Sequence, residues 1–167
     1  LKPTQMEIFI IAAQTADGFI ARDKNHVATW TSKEDKQRFV QLTKDAGVVV
    51  MGSTTFKTLP RPLKDRLNVV YSNSLKDQDL NTDPERKCMV TNKEPAELIR
   101  ELANLGYTKM AICGGSEIYS LFMESGLVQK LYLTIEPILF GNGIGIFKEP
   151  LPSDIQMKLD KSETTEQ

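Results

Sequence analysis

The chain has 167 residues, a formal net charge of −1, and 26% charged against 40% hydrophobic residues. That length suits one domain, residues 1–167, with a substantial core. Near-neutral charge argues against nucleic acid or a membrane surface as partner, since both call for a basic excess. No apolar run approaches the ~20 residues of a membrane span and no signal peptide is visible, so a cytoplasmic protein acting on a small molecule is expected.

Glu7 to Ala13, EIFIIAA, is a continuous apolar run suited to a strand buried on both faces. Gln14 to Thr29 is loop-like, with the turn signal Asp17-Gly18 and an apolar pair, Phe19-Ile20. Such a loop is either a lid over a binding site or a plain surface excursion. Trp30 then opens the stretch WTSKEDKQRFVQLT, Trp30 to Thr43. Thr31 or Ser32 can cap a helix over Lys33 to Asp45, and Glu34 stands three residues after Thr31, the capping-box spacing. Asp35, Phe39 and Leu42 share one face of it, and the two apolar residues make that the inward face. Asp35 is thus either a first-turn complement to the helix dipole or a desolvated carboxyl with a raised pKa, able to hold or relay a proton.

Gly47 ends the helix, and Val48 to Met51 reads as a second buried strand. It runs into Gly52-Ser53-Thr54-Thr55 and a short helical pattern at Phe56 to Leu59. Leu67 to Tyr71 is a third strand, ending in Ser72-Asn73-Ser74, and Cys88 to Thr91 a fourth. Pro95 opens a helix with an inner stripe of Ala96, Ile99, Leu102 and Ala103. Lys109 to Cys113 is a fifth strand, followed by Gly114-Gly115 and a helix capped by Ser116. Adjacent glycines between strand and helix either let the backbone close on a phosphate or make a tight turn without a ligand. Lys130 to Phe140 reads as a long strand kinked at Pro137, Gly141-Asn142-Gly143 as a turn, and the alternation of Ile155, Met157 and Leu159 as a half-exposed last strand before a polar tail.

Strands alternating with helices imply a doubly wound, mainly parallel sheet, with three glycine or hydroxyl turns along one edge. That edge makes a dinucleotide-sized groove, although the G-x-G-x-x-G fingerprint is absent. The single histidine, His26, stands in a polar loop, and Cys88 and Cys113 read as small buried hydrophobes in a reducing cytosol. A histidine triad or a zinc site has little material, so no metal is expected. Carboxylates, hydroxyls, backbone amides or a borrowed cofactor must carry the chemistry.

An ordered set of residues sharpens this reading. It runs Ile11-Ala12-Ala13, Trp30, Asp35, Phe39, Thr43, Met51-Gly52, Thr55, Arg61-Pro62-Leu63, Arg66, Asn68, Ser72, Gly114-Gly115, Ile118-Tyr119 and Leu131-Tyr132-Leu133-Thr134. At this spacing, over nearly its whole length, the chain resembles the dihydrofolate reductase family. The resemblance implies a three-layer α/β/α fold, its mostly parallel twisted sheet carrying an antiparallel C-terminal part. It also implies NADPH-dependent reduction of dihydrofolate to tetrahydrofolate, by hydride transfer to C6 and protonation at N5. Asp35, Trp30 and Thr134 take the catalytic places: Asp35 on the pterin's amide edge with Thr134 as its partner, Trp30 ordering a water. Ile11, Ala12, Ala13, Phe39, Leu63, Arg66, Cys113 and Tyr119 fall at the substrate, with Arg66 either forked onto the glutamate α-carboxylate or an ordinary surface arginine. Ala13, Ile20, Gly52, Ser53, Thr54, Thr55, Ser72, Asn73, Gly114, Gly115, Ser116, Glu117 and Ile118 fall along the cofactor.

Three departures accompany the resemblance. Ser53 and Thr54 stand where the family often has basic residues for the cofactor's 2′-phosphate, leaving Ser72, Asn73 or Lys76 as candidates. The segments Asp17 to Ala21 and Glu136 to Gly143 look more like the NADPH-dependent reductase of riboflavin biosynthesis, which shares the fold and reduces a ribosylaminopyrimidine phosphate. The family also ends in a hairpin near whose turn this sequence stops: either the last strand lies outside the given sequence, or the sheet is one strand short, and a missing strand would leave an open edge that invites dimerisation, so a monomer or a homodimer is expected. A nucleotide-binding protein without catalysis is the third reading.

Overall fold

In the computed structural model, which describes residues 5–80 and 83–166, β1 (Glu7–Thr15) and β2 (Phe19–Ala21) precede helix α1 (Lys33–Ala46). There follow β3 (Val48–Gly52), α2 (Ser53–Thr58), β4 (Leu67–Tyr71), β5 (Cys88–Thr91), α3 (Pro95–Asn104), β6 (Lys109–Ile112), α4 (Ser116–Glu124), β7 (Lys130–Glu136) and β8 (Ile144–Gly145). Six strands form one parallel sheet in the order β5-β4-β3-β6-β1-β7. The antiparallel part is a separate two-stranded ribbon of β2 and β8. Gln167, the end of the polar tail, lies outside the described residues.

Period-two alternation within apolar strands explains the three layers. On β1, Ile8, Ile10 and Ala12 point to one face, with Val48 and Val50 of β3 and Met110 and Ile112 of β6. Leu98 and Leu102 of α3 and Ile118 and Phe122 of α4 cover that face. Phe9, Ile11, Val49, Met51 and Val70 point the other way, beneath Ala46, Phe39 and Leu42 of α1 and Phe56 of α2. Strands flanked by helices on both faces need apolar residues at every position, which is why the runs read as continuous. Phe122 is fully buried, and truncating such a side chain to alanine costs about 3–5 kcal/mol.

The chain order creates a crevice. The crossover leaving β1 runs through α1 on one face, and that leaving β6 runs through α4 on the opposite face. Connections diverging from neighbouring strands open a cleft at their carboxyl ends, where open α/β sheets take ligands.

Local chemistry explains where the elements differ from the sequence reading. Of the two candidate caps for α1, Ser32 is the cap, its Oγ accepting the Asp35 N–H at 3.1 Å. Ser116 does not cap α4: Gly115 takes that place, its carbonyl accepting the N–H groups of Ile118 (3.1 Å) and Tyr119 (2.9 Å), and no side chain caps the helix. β7 ends at Glu136 rather than Phe140, because Pro137 has no N–H to continue a ladder. Residues 155–159 form no strand; Ile155, Met157 and Leu159 are exposed. Alternation describes a face, but a strand also needs a hydrogen-bonded neighbour, and this segment pairs with none in the described structure. No helix among the described residues is long and apolar enough to cross a membrane.

Candidate active site

The crevice is a trough of about 1280 Å³ across the carboxyl ends of β1, β3, β4 and β6. Its size exceeds what one drug-sized molecule needs. One end is walled by Ile11, Ala12, Ala13, Ile20, Trp30, Asp35, Phe39, Leu63, Arg66, Cys113 and Tyr119. The middle is formed by Gly52, Ser53, Thr54 and Thr55 opposite Gly114, Gly115, Ser116, Glu117 and Ile118. The far end holds Tyr71, Ser72, Asn73, Ser74, Asn92, Lys93 and Glu94. Of the residues given catalytic, substrate or cofactor places from the sequence, Thr134 does not line the trough, and neither does Lys76, a candidate for the 2′-phosphate. Thr134 reaches it through Asp35; Lys76 serves a local turn, its N–H donating to Asp79.

Asp35 is the carboxyl at the apolar end of the trough. The α1 cap places it in the first turn, half-buried, on the face shared with Phe39 and Leu42. Burial is the main cause that holds its pKa above the ordinary value. The Thr134 hydroxyl, as hydrogen-bonding neighbour, pulls the other way. The charge of Glu136 adds to the rise, and Lys36 and Arg38 subtract from it. The buried Tyr119 hydroxyl donates to the Ile11 carbonyl at 2.7 Å, so it braces the wall rather than facing a ligand as a free donor. Burial pushes the Cys113 thiol up to about 12, which leaves it protonated and inert as a nucleophile.

The two glycine turns are joined. Gly52 donates its N–H to the Gly114 carbonyl at 2.9 Å, and the Cys113 N–H donates to Val50 at 2.8 Å. Gly114 has φ +117°, which favours glycine, and a Cβ there would stand 3.3 Å from the Tyr119 hydroxyl. A Cβ on Gly115 would stand 3.3 Å from Thr55 Oγ1. The turns therefore form a backbone-walled notch at the uncapped N-terminus of the nine-residue α4. Free N–H groups and the positive end of a helix favour an anion there.

Arg66 is buried, and its guanidinium is held on two sides. Nε donates to the Lys64 carbonyl at 2.8 Å, and one terminal nitrogen to Thr43 Oγ1 at 2.9 Å. The Thr43 hydroxyl in turn donates to the Phe39 carbonyl at 2.6 Å. Desolvation lowers the Arg66 pKa, but an arginine stays charged. The result is a preoriented cation at the trough wall. Asn68 braces the preceding loop, accepting the Leu63 N–H and donating to Leu63 and Arg66 carbonyls.

Several residues that shape the site were not among the candidate site residues read from the sequence. Glu136 is buried, and its Oε1 accepts the Ser32 N–H at 2.8 Å. Asp17 accepts the Thr15 hydroxyl at 2.5 Å, the Phe140 N–H at 3.2 Å and the Gly141 N–H at 2.7 Å, and these bonds lower its pKa. Phe140 meets the Trp30 ring edge-on at 5.2 Å and lies under the Arg22 guanidinium at 4.3 Å. Apart from the Thr15–Asp17 bond, each contact joins segments far apart in the chain, where periodicity says nothing. The segments Asp17 to Ala21 and Glu136 to Gly143, noted separately in the sequence, thus pack on one another. No group of three or more potential metal-ligating side chains occurs among the described residues.

A family model described as RibD C-terminal domain matches residues 7–167. The dihydrofolate reductase of Drosophila melanogaster is 35% identical over 114 residues, which cover 63% of this chain and 60% of that protein. The bifunctional dihydrofolate reductase-thymidylate synthase of Plasmodium vinckei is 32% identical over 90 residues, 52% of this chain and 48% of that protein, so the chain spans about half that relative's length. Among solved structures, one titled "Putative riboflavin biosynthesis protein" from Shewanella sp. PV-4 superposes with a TM-score of 0.75 at 25% identity, covering 95% of this chain and 92% of the other. Fold, trough and match together place the sheet and helices in the dihydrofolate reductase-like fold, and the chain belongs to the RibD C-terminal domain family.

Proposed function

We propose that this protein is an NADPH-dependent reductase of a 2-amino-4-oxopyrimidine ring system, with 7,8-dihydrofolate as the leading substrate. The observation that carries the reading is a half-buried Asp35 carboxyl and a preoriented Arg66 at one end of a trough whose middle is an anion notch. NADPH, when bound, supplies the hydride. Gly114, Gly115, the α4 N-terminus and Thr55 would take its pyrophosphate, which the backbone-walled notch fits. Ser72, whose Oγ already accepts the Ser74 and Leu75 N–H groups, and Asn73 would stand at its adenosine end.

The chain's own residues would do the rest. Asp35 pairs with the amino and amide edge of the ring, and burial raises its pKa, which favours the protonated form that can deliver a proton. That proton is destined for the ring nitrogen N5, and the adjacent C6 accepts the hydride. Ile11, Ala12, Phe39 and Leu63 exclude water around the ring. Arg66 forks onto the α-carboxylate of the substrate's glutamate.

A second reading rests on the family match over residues 7–167. A ribosylaminopyrimidine phosphate would set the edge of its pyrimidine ring against Asp35, and its phosphate would replace the carboxylate at Arg66. The deciding experiment is NADPH oxidation by purified protein, with dihydrofolate in one arm and the ribosylaminopyrimidine phosphate in the other. Substrate-dependent turnover with dihydrofolate supports the leading reading. Turnover with the phosphate alone moves the assignment to the second. NADPH binding by calorimetry with turnover in neither arm makes this a nucleotide-binding protein.

A further inference from the structure

In an ordinary capping box, the acidic side chain at the third helical position turns back to accept the N–H of the cap residue. Asp35 is that third residue in α1, and its own N–H does bond the Ser32 hydroxyl. The reciprocal bond is made by another residue. The Ser32 N–H donates to Glu136 Oε1 at 2.8 Å, across 104 positions of sequence. Glu136 is the last residue of β7, 3% exposed, and stands in register with Thr15 of β1, which is fully buried. Thr134, the hydrogen-bonding neighbour of Asp35, lies two residues earlier and therefore on the same face of β7. Two successive side chains of one strand thus address the first turn of α1.

We propose that Glu136 is a positioning residue of the active site: by taking over the capping bond to Ser32, it anchors the start of α1 and leaves the Asp35 carboxyl turned to the trough. The inference rests on Asp35 being the proton-holding group of the proposed reaction.

A buried carboxyl at this point has a second effect. The charged and titratable groups facing Asp35 are Lys36 and Arg38 from α1, Glu136 from β7 and Tyr119 from α4. The two cations lower its pKa, while Glu136 opposes ionisation. One residue therefore both aims the acid and favours its protonated form.

The test uses two variants of the full chain. Glu136→Gln keeps an oxygen acceptor for the Ser32 N–H and removes the charge. Carboxyl-carbon NMR of the ligand-free protein should then show Asp35 titrating at lower pH than in the parent, and the alkaline limb of any pH–rate profile should move the same way. Glu136→Ala removes the acceptor as well, and amide hydrogen exchange at Ser32 and in the first turn of α1 should accelerate at least tenfold, while exchange in β3 and β6 stays unchanged. An unshifted Asp35 titration in the glutamine variant, or unchanged exchange at Ser32 in the alanine variant, overturns the proposal. Both readouts are independent of substrate, so a parent that reduces neither candidate substrate would refute the proposed reaction while these results still decide the role of Glu136.

Discussion

The two halves of the trough are built differently. The notch of Gly52, Gly114 and Gly115 sits on the ends of β3 and β6, two adjacent strands buried on both faces and joined by backbone hydrogen bonds. The Asp35 end is walled by α1 and by loops flanking the ribbon of β2 and β8, held by the side chains of Asp17, Glu136 and Phe140. Many shared backbone bonds hold that half whichever single side chain is truncated, so only an added Cβ at a glycine disturbs it. A wall fastened by a few side chains has no such backing, so individual residues act there as levers. Loops at low local stability are also where lids and conformational gating arise.

The largest effect should come from the acid itself. Asp35→Asn is expected to reduce kcat at neutral pH by about 10²–10⁴-fold while the affinity for NADPH, measured by calorimetry, changes little. Full activity would remove Asp35 from proton handling. The same variant makes a stability prediction. Asp35 has a folded pKa above its ordinary value, and such a carboxyl favours the fold fully below the unfolded pKa and loses that contribution as pH rises through the folded one. The asparagine variant should therefore melt at a higher temperature than the parent at pH 7, with the gap closing as pH falls toward 4.

Arg66 comes next. A hydrogen bond to a charged group is worth about 1.5–3 kcal/mol, so Arg66→Leu should raise KM for dihydrofolate by about 10–100-fold with kcat largely retained. An unchanged KM would detach Arg66 from the substrate. Gly114→Ala probes the stiff half. Its positive φ and the nearby Tyr119 hydroxyl oppose a Cβ, and about 1–3 kcal/mol of backbone strain should weaken NADPH binding roughly tenfold or more by calorimetry. Wild-type affinity there would mean the notch is not where the cofactor's anion sits. The mildest perturbation is Asp17→Ala, which removes the acceptor of the Phe140 and Gly141 N–H groups. Hydrogen exchange at those two amides should quicken, and kcat/KM should fall by a few-fold, with β3 and β6 unaffected. Unaltered exchange would show that the ribbon alone holds the loops together.

How far the sequence reads can be judged from particular residues. β4, β5 and the start of α3 at Pro95 match the sequence reading, because apolar runs and a first-turn proline are local signals. Asp35, Phe39 and Leu42 lie on one face of α1 for the same reason: a helical period needs no knowledge of the partner. The alternation at Ile155, Met157 and Leu159 misled, since it specifies a face but not a neighbouring strand.

The sequence by itself determined the layers, the parallel sheet, and the placing of glycine and hydroxyl turns at strand ends, because periodicity and backbone preference act over a few residues. Only the tertiary structure decided that Thr43 clamps Arg66, that Asp17 ties one loop to another, and that Glu136 rather than Asp35 completes the cap of α1. Those bonds join residues 23, 124 and 104 positions apart. Strand order and register, which no local signal encodes, bring them within hydrogen-bonding distance.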